Sequence, residues 1–168
     1  MEMRKLVIFF FIAIVIQSAA SAEGATPELT KKELQAIDRI IKSVEDCNPK
    51  RRGGNACEAE GQRIYLTGAV GYRGKDCVAV QFTIEAGNAD YQYLLVLERP
   101  TLKRYGPLRI GGRGYRQIEI WKIENGLIHA KVRWYGPNDS LPVPSVPGEA
   151  SFDIDFGGLI ERYAIVGQ

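Results

Sequence analysis

The segment from Gly114 to Tyr135 contains the feature that most restricts how this chain can fold. Asn125-Gly126 stands there between two runs of alternating residues. Asn-Gly is favoured in a two-residue type I′ turn, because both residues of that turn need positive φ. The turn sets a register that places Trp121 opposite Ala130. Because side chains alternate along a strand, the sequence predicts a β-hairpin whose Trp121–Trp134 face belongs to the core.

The first 22 residues have the composition of a cleaved secretory signal. Arg4 and Lys5 precede an apolar run from Leu6 to Ile16, which is shorter than the about 20 residues needed to span a bilayer. Small residues ending at Ala22 then match a signal-peptidase site. We expect cleavage after Ala22, export to the periplasm or secretion, and no stable membrane insertion of the mature chain. An uncleaved N-terminal anchor is the alternative.

Residues 23–168 are expected to form one globular domain, since a chain of this length can bury a stable core without disulfides or bound metal ions. Loss of Arg4, Lys5 and Glu2 with the signal reduces the basic residues from 22 to 20 and the acidic residues from 20 to 19. This near-neutral balance argues against a general nucleic-acid-binding protein.

The three cysteines, Cys47, Cys57 and Cys77, favour one disulfide in an exported chain, with one thiol left over. Cys47–Cys57 is the favoured pair, because it closes a short polar loop; the pairings that involve Cys77 remain open. The cysteine spacing is long and irregular, and the single histidine lies far away in sequence, so a zinc site is not expected. No other metal or cofactor is expected.

Residues 30–46 have the pattern of an amphipathic helix. Thr30 and Glu33 have the spacing of a capping box, in which each side chain bonds the backbone amide of the other residue. Apolar residues then recur every three or four positions, which indicates a helix that packs on a sheet. These residues are Leu34, Ile37, Ile40, Ile41 and Val44.

The rest of the chain has β-type alternation, with six to seven strands expected. The runs are 63–72, 77–85, 91–98, the two arms of the hairpin and 150–156, with less regular runs at 102–110 and 161–166. Residues 136–148 contain four prolines, which indicate a long loop. Short connections imply antiparallel pairing. We therefore predict an α+β domain, with one N-terminal amphipathic helix packed on a curved antiparallel β-meander.

This order of elements resembles that of cystatin-like and nuclear-transport-factor-2-like domains, in which a helix lies in the concavity of a bent sheet. In such a cone, Ile37, Ile41, Trp121 and Trp134 are expected to fill the space between helix and sheet. Those families include enzymes, inhibitors and binding modules, so the resemblance implies no single function. A closed lipocalin-like barrel is the alternative architecture.

A basic run from Arg99 to Arg116 is the most unusual charge feature, because it contains no Asp or Glu. Arginine forks beside tyrosines suit carboxylates, phosphates or acidic glycans, and glycine-rich backbone can present amides to an anion. Edge-strand charges that prevent aggregation are the structural alternative. The residues expected to contact a ligand or partner are Arg99, Lys103, Arg104, Arg113, Tyr115 and Arg116.

Few residues are candidates for catalysis. His129 is the only histidine, and its expected neighbour Lys122 does not orient a general base. Asp153 and Asp155 share one face of a strand, as an acid/base pair or a calcium site requires. A solvated strand face is the structural alternative for both features.

Three functions follow as hypotheses. The first is an exported, soluble, non-enzymatic binding module that recognises a protein or an anionic envelope component. The second is a cone-fold enzyme with a pocket between helix and sheet, using His129 with Asp153 or Asp155. The third is an inhibitor of a secreted hydrolase that uses the proline-rich loop, because prolines reduce the entropy lost on binding.

Overall fold

The computed structural model describes residues 28–44, 63–86, 89–140 and 143–166. The predicted signal peptide, Cys47 and Cys57 lie outside these ranges, and their assignments stay predictions. None of the described helices is long and apolar enough to cross a membrane. The elements in chain order are α1 (Lys31–Ser43), β1 (Ile64–Val70), β2 (Lys75–Ala86), β3 (Ala89–Glu98), β4 (Lys103–Gly112), β5 (Arg116–Glu124), β6 (Leu127–Trp134), β7 (Val146–Asp155) and β8 (Gly158–Val166).

The domain is α+β, with one described helix and one antiparallel meander, as the sequence predicts. The sheet has eight strands in the order β1 to β8, so the expected count of six to seven is too low. The less regular runs account for the difference, since β4 and β8 are full strands of 10 and 9 residues. The sheet does not close, so the alternative of a closed barrel is wrong.

The helix begins with the predicted capping box. The Thr30 hydroxyl accepts a bond from the Glu33 amide at 3.2 Å, and the Glu33 carboxylate accepts one from the Thr30 amide at 2.6 Å. Ile37 and Ile41 are buried against the face of β2 and β3. Leu34 is predicted to belong to the apolar stripe, but it is 39 % exposed and lies outside the buried one. The helix is therefore attached to the sheet by a narrower stripe than its sequence suggests.

Strands β2 and β3 are buried on both faces. Val78 and Val80 pack with the helix, while Cys77 and Ala79 belong to a larger cluster to which all eight strands contribute. The alternation of residues 77–85 would fit a strand buried on one face only, but the curved sheet covers the second face of β2 as well. Trp134 packs against the larger cluster, so the predicted common core of Ile37, Ile41 and both tryptophans is also wrong.

The central hairpin has the predicted turn but a shifted register. Asn125 and Gly126 have φ of 52° and 78°, as a type I′ turn requires. The register shifts between Ile120 and Lys122, so Ala130 faces Ile120 instead of Trp121. This β-bulge reverses the faces of the preceding residues. Ile120 is buried, whereas Trp121 is 43 % exposed, which contradicts the prediction that Trp121 belongs to the core.

The sheet is split between β4 and β5, which along their described lengths pair at Gly112 and Arg116 alone. Two glutamines supply the missing bonds from inside the fold. The Gln81 amide bonds the Ile118 carbonyl at 2.6 Å and the Ile120 amide at 2.8 Å, and Gln92 also bonds Ile118. These bonds satisfy backbone groups that would otherwise be unpaired inside the protein.

Strand β7 begins at Val146, within the segment predicted to be a loop. Pro147 lies opposite Arg133 of β6, and the pairing with β8 begins one residue later, at Gly148. Pro147 is therefore at the margin of the sheet, where the missing amide of a proline costs no ladder bond.

Candidate functional site

One end of the sheet collects the turns between β1 and β2, β3 and β4, β5 and β6, and β7 and β8, because alternate connections of an antiparallel meander lie on the same side. We call this region the turn end. It is held together across the sheet, since the Gly71 amide donates to the Gly126 carbonyl at 2.8 Å. Gly71 has φ of 81°, and a Cβ there would lie 3.3 Å from the Ile154 carbonyl oxygen. The turns therefore need glycine at this position to approach one another.

A cavity of about 360 Å³ opens at the turn end. Two turns and the adjoining ends of β2, β4 and β7 contribute to it, so its residues are distant in sequence but close in space. Three cationic side chains and three aromatic rings line it, with Asp155 as its carboxylate. The cationic and aromatic residues are Tyr72, Arg73, Lys75, Lys103, Tyr105 and Phe156.

Two of these rings project fully into solvent. Tyr72 and Phe156 are as accessible as in an extended peptide, at 101 % and 103 %. Each belongs to a tight turn, with Gly71 before Tyr72 and Gly157 after Phe156. A large apolar ring that packs on nothing in its own chain is unusual in a folded domain, and a pair on one cavity marks a contact surface.

Lys75, Glu98 and Tyr105 form a bonded trio beside the cavity. The Lys75 ammonium donates to Glu98 at 2.8 Å and to the Tyr105 oxygen at 2.7 Å, and the Tyr105 hydroxyl donates to Glu98 at 2.6 Å. The hydrogen bond with Lys75 lowers the pKa of Glu98, and the bond with Glu98 raises the pKa of Lys75. Both groups are therefore fixed in their charged forms, which is the opposite of what a general acid or base requires near neutral pH.

Arg73 and Lys103 are the cations of the cavity that form no direct ion pair in the described structure, although the charge of Lys103 helps to lower the pKa of Glu98. Both side chains are exposed, and neither forms a salt bridge within the described ranges. The Lys103 ammonium lies 5.3 Å from the centre of the Tyr105 ring. These two cations are available to an anionic group of a ligand.

The predicted catalytic aspartates lie next to this cavity but are engaged with one arginine. The Arg162 guanidinium donates to Asp153 at 2.8 Å and to Asp155 at 2.8 Å. Asp153 also accepts the Ile154 amide, and Asp155 accepts the Phe156 amide. This arrangement fixes the β7–β8 turn that carries Phe156, so the aspartates stabilise the site by positioning its aromatic ring.

His129 makes no contact that suits a catalytic base. Its Nε2 lies 3.3 Å from the Glu124 carbonyl, and no hydrogen bond joins it to Asp153 or Asp155 in the described structure. Ser151 is opposite His129 in the ladder, yet its hydroxyl is fully buried and has no partner among the described atoms. The Ser151 hydroxyl is therefore closed to a substrate, although His129 itself is partly exposed.

The predicted basic run does not form one surface. Lys103 belongs to the turn-end cavity, while Arg113 and Tyr115 lie at the other end of β4, about 30 Å away for a strand of this length. Arg104 is exposed on β4. Arg99 reaches the helix instead, since its guanidinium donates to both carboxylate oxygens of Glu33.

Arg116 is buried and holds the structure together. It is 1 % exposed, and its guanidinium bonds both Glu161 oxygens at 2.8 and 2.7 Å and the Ile110 carbonyl at 2.6 Å. The same group lies 4.8 and 4.9 Å from the rings of Tyr115 and Trp134. Arg116 therefore has no donor facing solvent for an outside ligand, whatever its position in the basic run.

Sequence reasoning missed Tyr72, Arg73, Lys75 and Phe156 as site residues. The available signal was an aromatic residue within each of two glycine-bearing turns, Gly71-Tyr72-Arg73-Gly74 and Phe156-Gly157-Gly158. An aromatic ring in a tight turn has no neighbouring strand to cover it, so such a ring is expected to be exposed.

No protein-family model, curated protein or solved structure matches this chain. Within the described ranges, no group of His, Cys, Asp and Glu side chains is arranged to hold a metal ion.

Proposed function

We propose that this protein is an exported, non-enzymatic binding module that recognises a protein or an anionic envelope component. In either case it would contact negatively charged groups of the partner. The observation that supports this most directly is the turn-end cavity. It combines the unpaired cations Arg73 and Lys103 with the exposed rings of Tyr72 and Phe156. Cations beside aromatic surface bind anionic groups and flat apolar groups at once. The α+β scaffold, which resembles cystatin-like cones by element order, serves to hold these turns.

The second hypothesis, a cone-fold enzyme, gains little from the geometry. His129 and the aspartates share no hydrogen bond in the described structure, and Arg162 occupies both carboxylates. The Lys75–Glu98–Tyr105 trio is fixed in its charged state. These arrangements favour rigid positioning over proton transfer.

The proposal can be tested by capture from the envelope fraction of the host. The mature, tagged protein is compared with an Arg73→Ser/Lys103→Ser variant and with a control, Arg109→Ser/Arg133→Ser. The control removes the same charge from exposed positions towards the other end of the sheet. We expect the turn-end variant to lose the bound component and the control to retain it. Equal capture by both variants would remove the turn end from the proposal.

The third hypothesis, an inhibitor that uses the proline-rich loop, is favoured by one observation. The Asp139 carboxylate accepts bonds from the Gly136 and Ser145 amides, both at 2.7 Å, which closes the loop at its base. Val143 in this loop is 61 % exposed. An Asp139→Ala variant should then lose inhibition of a secreted hydrolase while the Arg73→Ser/Lys103→Ser variant retains it. The reverse pattern would contradict the inhibitor function.

A further inference from the structure

We propose that the turn end docks on an anionic lipid bilayer, with Tyr72 and Phe156 inserted at the headgroup level. This inference rests on the proposed function and names the envelope component that the turn end recognises. It would add a membrane-surface site to a chain in which none of the described helices spans a bilayer.

The order of side chains along the turn end matches the order of layers in a lipid surface. Tyr72 and Phe156 occupy the turns themselves and are fully exposed. Arg73 follows directly after Tyr72 in the same turn, and Lys103 stands at the first position of β4, whereas the charge of Lys75 is balanced by Glu98. Rings at the tip with cations directly behind them place apolar surface in the headgroup region and positive charge at the lipid phosphates.

The turns that carry the rings are held rigidly, which limits the entropy lost on docking. Arg162 and the Asp155 carboxylate fix the β7–β8 turn, and the bond between Gly71 and Gly126 fixes the β1–β2 turn. A turn whose backbone is held in place presents its ring to the bilayer without reordering the backbone.

The exposed area favours a lipid surface over a protein partner. Two aromatic side chains bury about 300–500 Å² at most, whereas a stable protein interface buries about 800 Å² on each partner. Two rings supported by two cations, Arg73 and Lys103, have the size typical of reversible, charge-assisted membrane binding. The acidic protein surface remains an outcome of the experiment.

The first experiment measures sedimentation of the mature protein with vesicles. One set contains phosphatidylglycerol and phosphatidylcholine in equal parts, and the other contains phosphatidylcholine alone. We expect binding to the anionic set, a decrease of about tenfold in the partition coefficient for Tyr72→Ser or Phe156→Ser, and a decrease of about fivefold for Arg73→Ser or Lys103→Ser. Val143→Ser, which removes an exposed apolar side chain at the opposite end of the sheet, is the control and should bind as the unaltered protein does.

The second experiment locates the inserted residue. In Phe156→Trp, the new indole should be quenched by vesicles whose acyl chains carry bromine atoms. The native Trp121 is exposed on β5, four residues before Asn125 of the β5–β6 turn, so both proteins carry Trp121→Phe. Trp134 lies at the other end of β6, and the fluorescence of Trp121→Phe alone should not be quenched. Quenching of both proteins would contradict the proposed orientation.

The outcomes separate this inference from the function on which it rests. Absence of binding to anionic vesicles at low salt would overturn the lipid site, and so would binding that Tyr72→Ser and Phe156→Ser leave unchanged. If the Arg73→Ser/Lys103→Ser variant still loses a captured protein from the envelope fraction, the turn end recognises an acidic protein surface, and the proposed function stands without the lipid. Equal capture by that variant and its control would overturn both.

Discussion

Replacement of Arg116 by methionine should strongly destabilise the protein. The change removes three hydrogen bonds of a guanidinium that is 1 % exposed, and it leaves the Glu161 carboxylate and the Ile110 carbonyl without their partner. Loss of one member of a fully buried ion pair typically costs about 3–5 kcal/mol, because the other charge stays desolvated. The Glu161 side chain keeps 29 % of its surface exposed, so its remaining charge is only partly desolvated. The expected decrease in the free energy of unfolding is therefore about 2–3 kcal/mol, or about 6–9 °C in melting temperature for a domain of this size.

The assay is thermal unfolding followed by circular dichroism, with two matched variants. Arg116→Lys retains the charge but lacks the planar fork that bonds both Glu161 oxygens, so it should recover only part of the loss. Arg116→Met/Glu161→Leu removes both charges and should be more stable than Arg116→Met alone.

The alternative role for Arg116 is to bind a ligand from solution, as its place in the basic run suggests. In that case Arg116→Met would melt like the unaltered protein and would lose its ligand. Such a result would refute the structural role of Arg116, and it would show that the guanidinium is accessible.

Three further predictions concern acid stability, thiol reactivity and register. Burial alone would raise the pKa of Glu33, but hydrogen bonds from Thr30 and Arg99 outweigh it and lower that pKa. Glu33→Gln should therefore lower the free energy of unfolding by about 1–3 kcal/mol at neutral pH. Unfolding measured at a series of pH values should show the difference between variant and unaltered protein shrinking as the pH falls below about 4. Burial raises the pKa of the Cys77 thiol to about 11, so mass spectrometry should find Cys77 alkylated by maleimide only after unfolding. In urea unfolding, Trp121→Thr should change the free energy of unfolding by less than about 0.5 kcal/mol, whereas Ile120→Thr should lower it by about 2–4 kcal/mol. A larger loss for Trp121→Thr than for Ile120→Thr would show that Trp121 faces the core and that the hairpin has no β-bulge.

Features set by residues close in sequence were predicted well. The capping box depends on Thr30 and Glu33, three positions apart, and the type I′ turn depends on Asn125-Gly126 alone. Both occur as expected, because each is stabilised by local hydrogen bonds and by the φ values that those residues tolerate. The α+β class followed from the same local patterns.

The register of the hairpin could not be predicted, because a β-bulge leaves no local signal in the alternation. Both Trp121 and Ile120 are apolar, so either can be assigned to the core from the pattern alone. The bonds that decide between them come from Gln81, which reaches the Ile118 carbonyl and the Ile120 amide from β2, almost 40 residues earlier. These bonds fix the backbone of β5 before the shift, and Trp121 is left on the outside.

The candidate site was missed for a related reason. A run of charge along the sequence, such as Arg99 to Arg116, becomes a surface only if the backbone returns on itself within a few residues. Here β4 is extended and carries Lys103 and Arg113 to opposite ends of the sheet. Antiparallel turns instead bring together residues far apart in sequence, and Lys103 meets Arg73 and Phe156 at one cavity. In a meander, the turns on one side are therefore a better place to look for a composite site than any single charged segment.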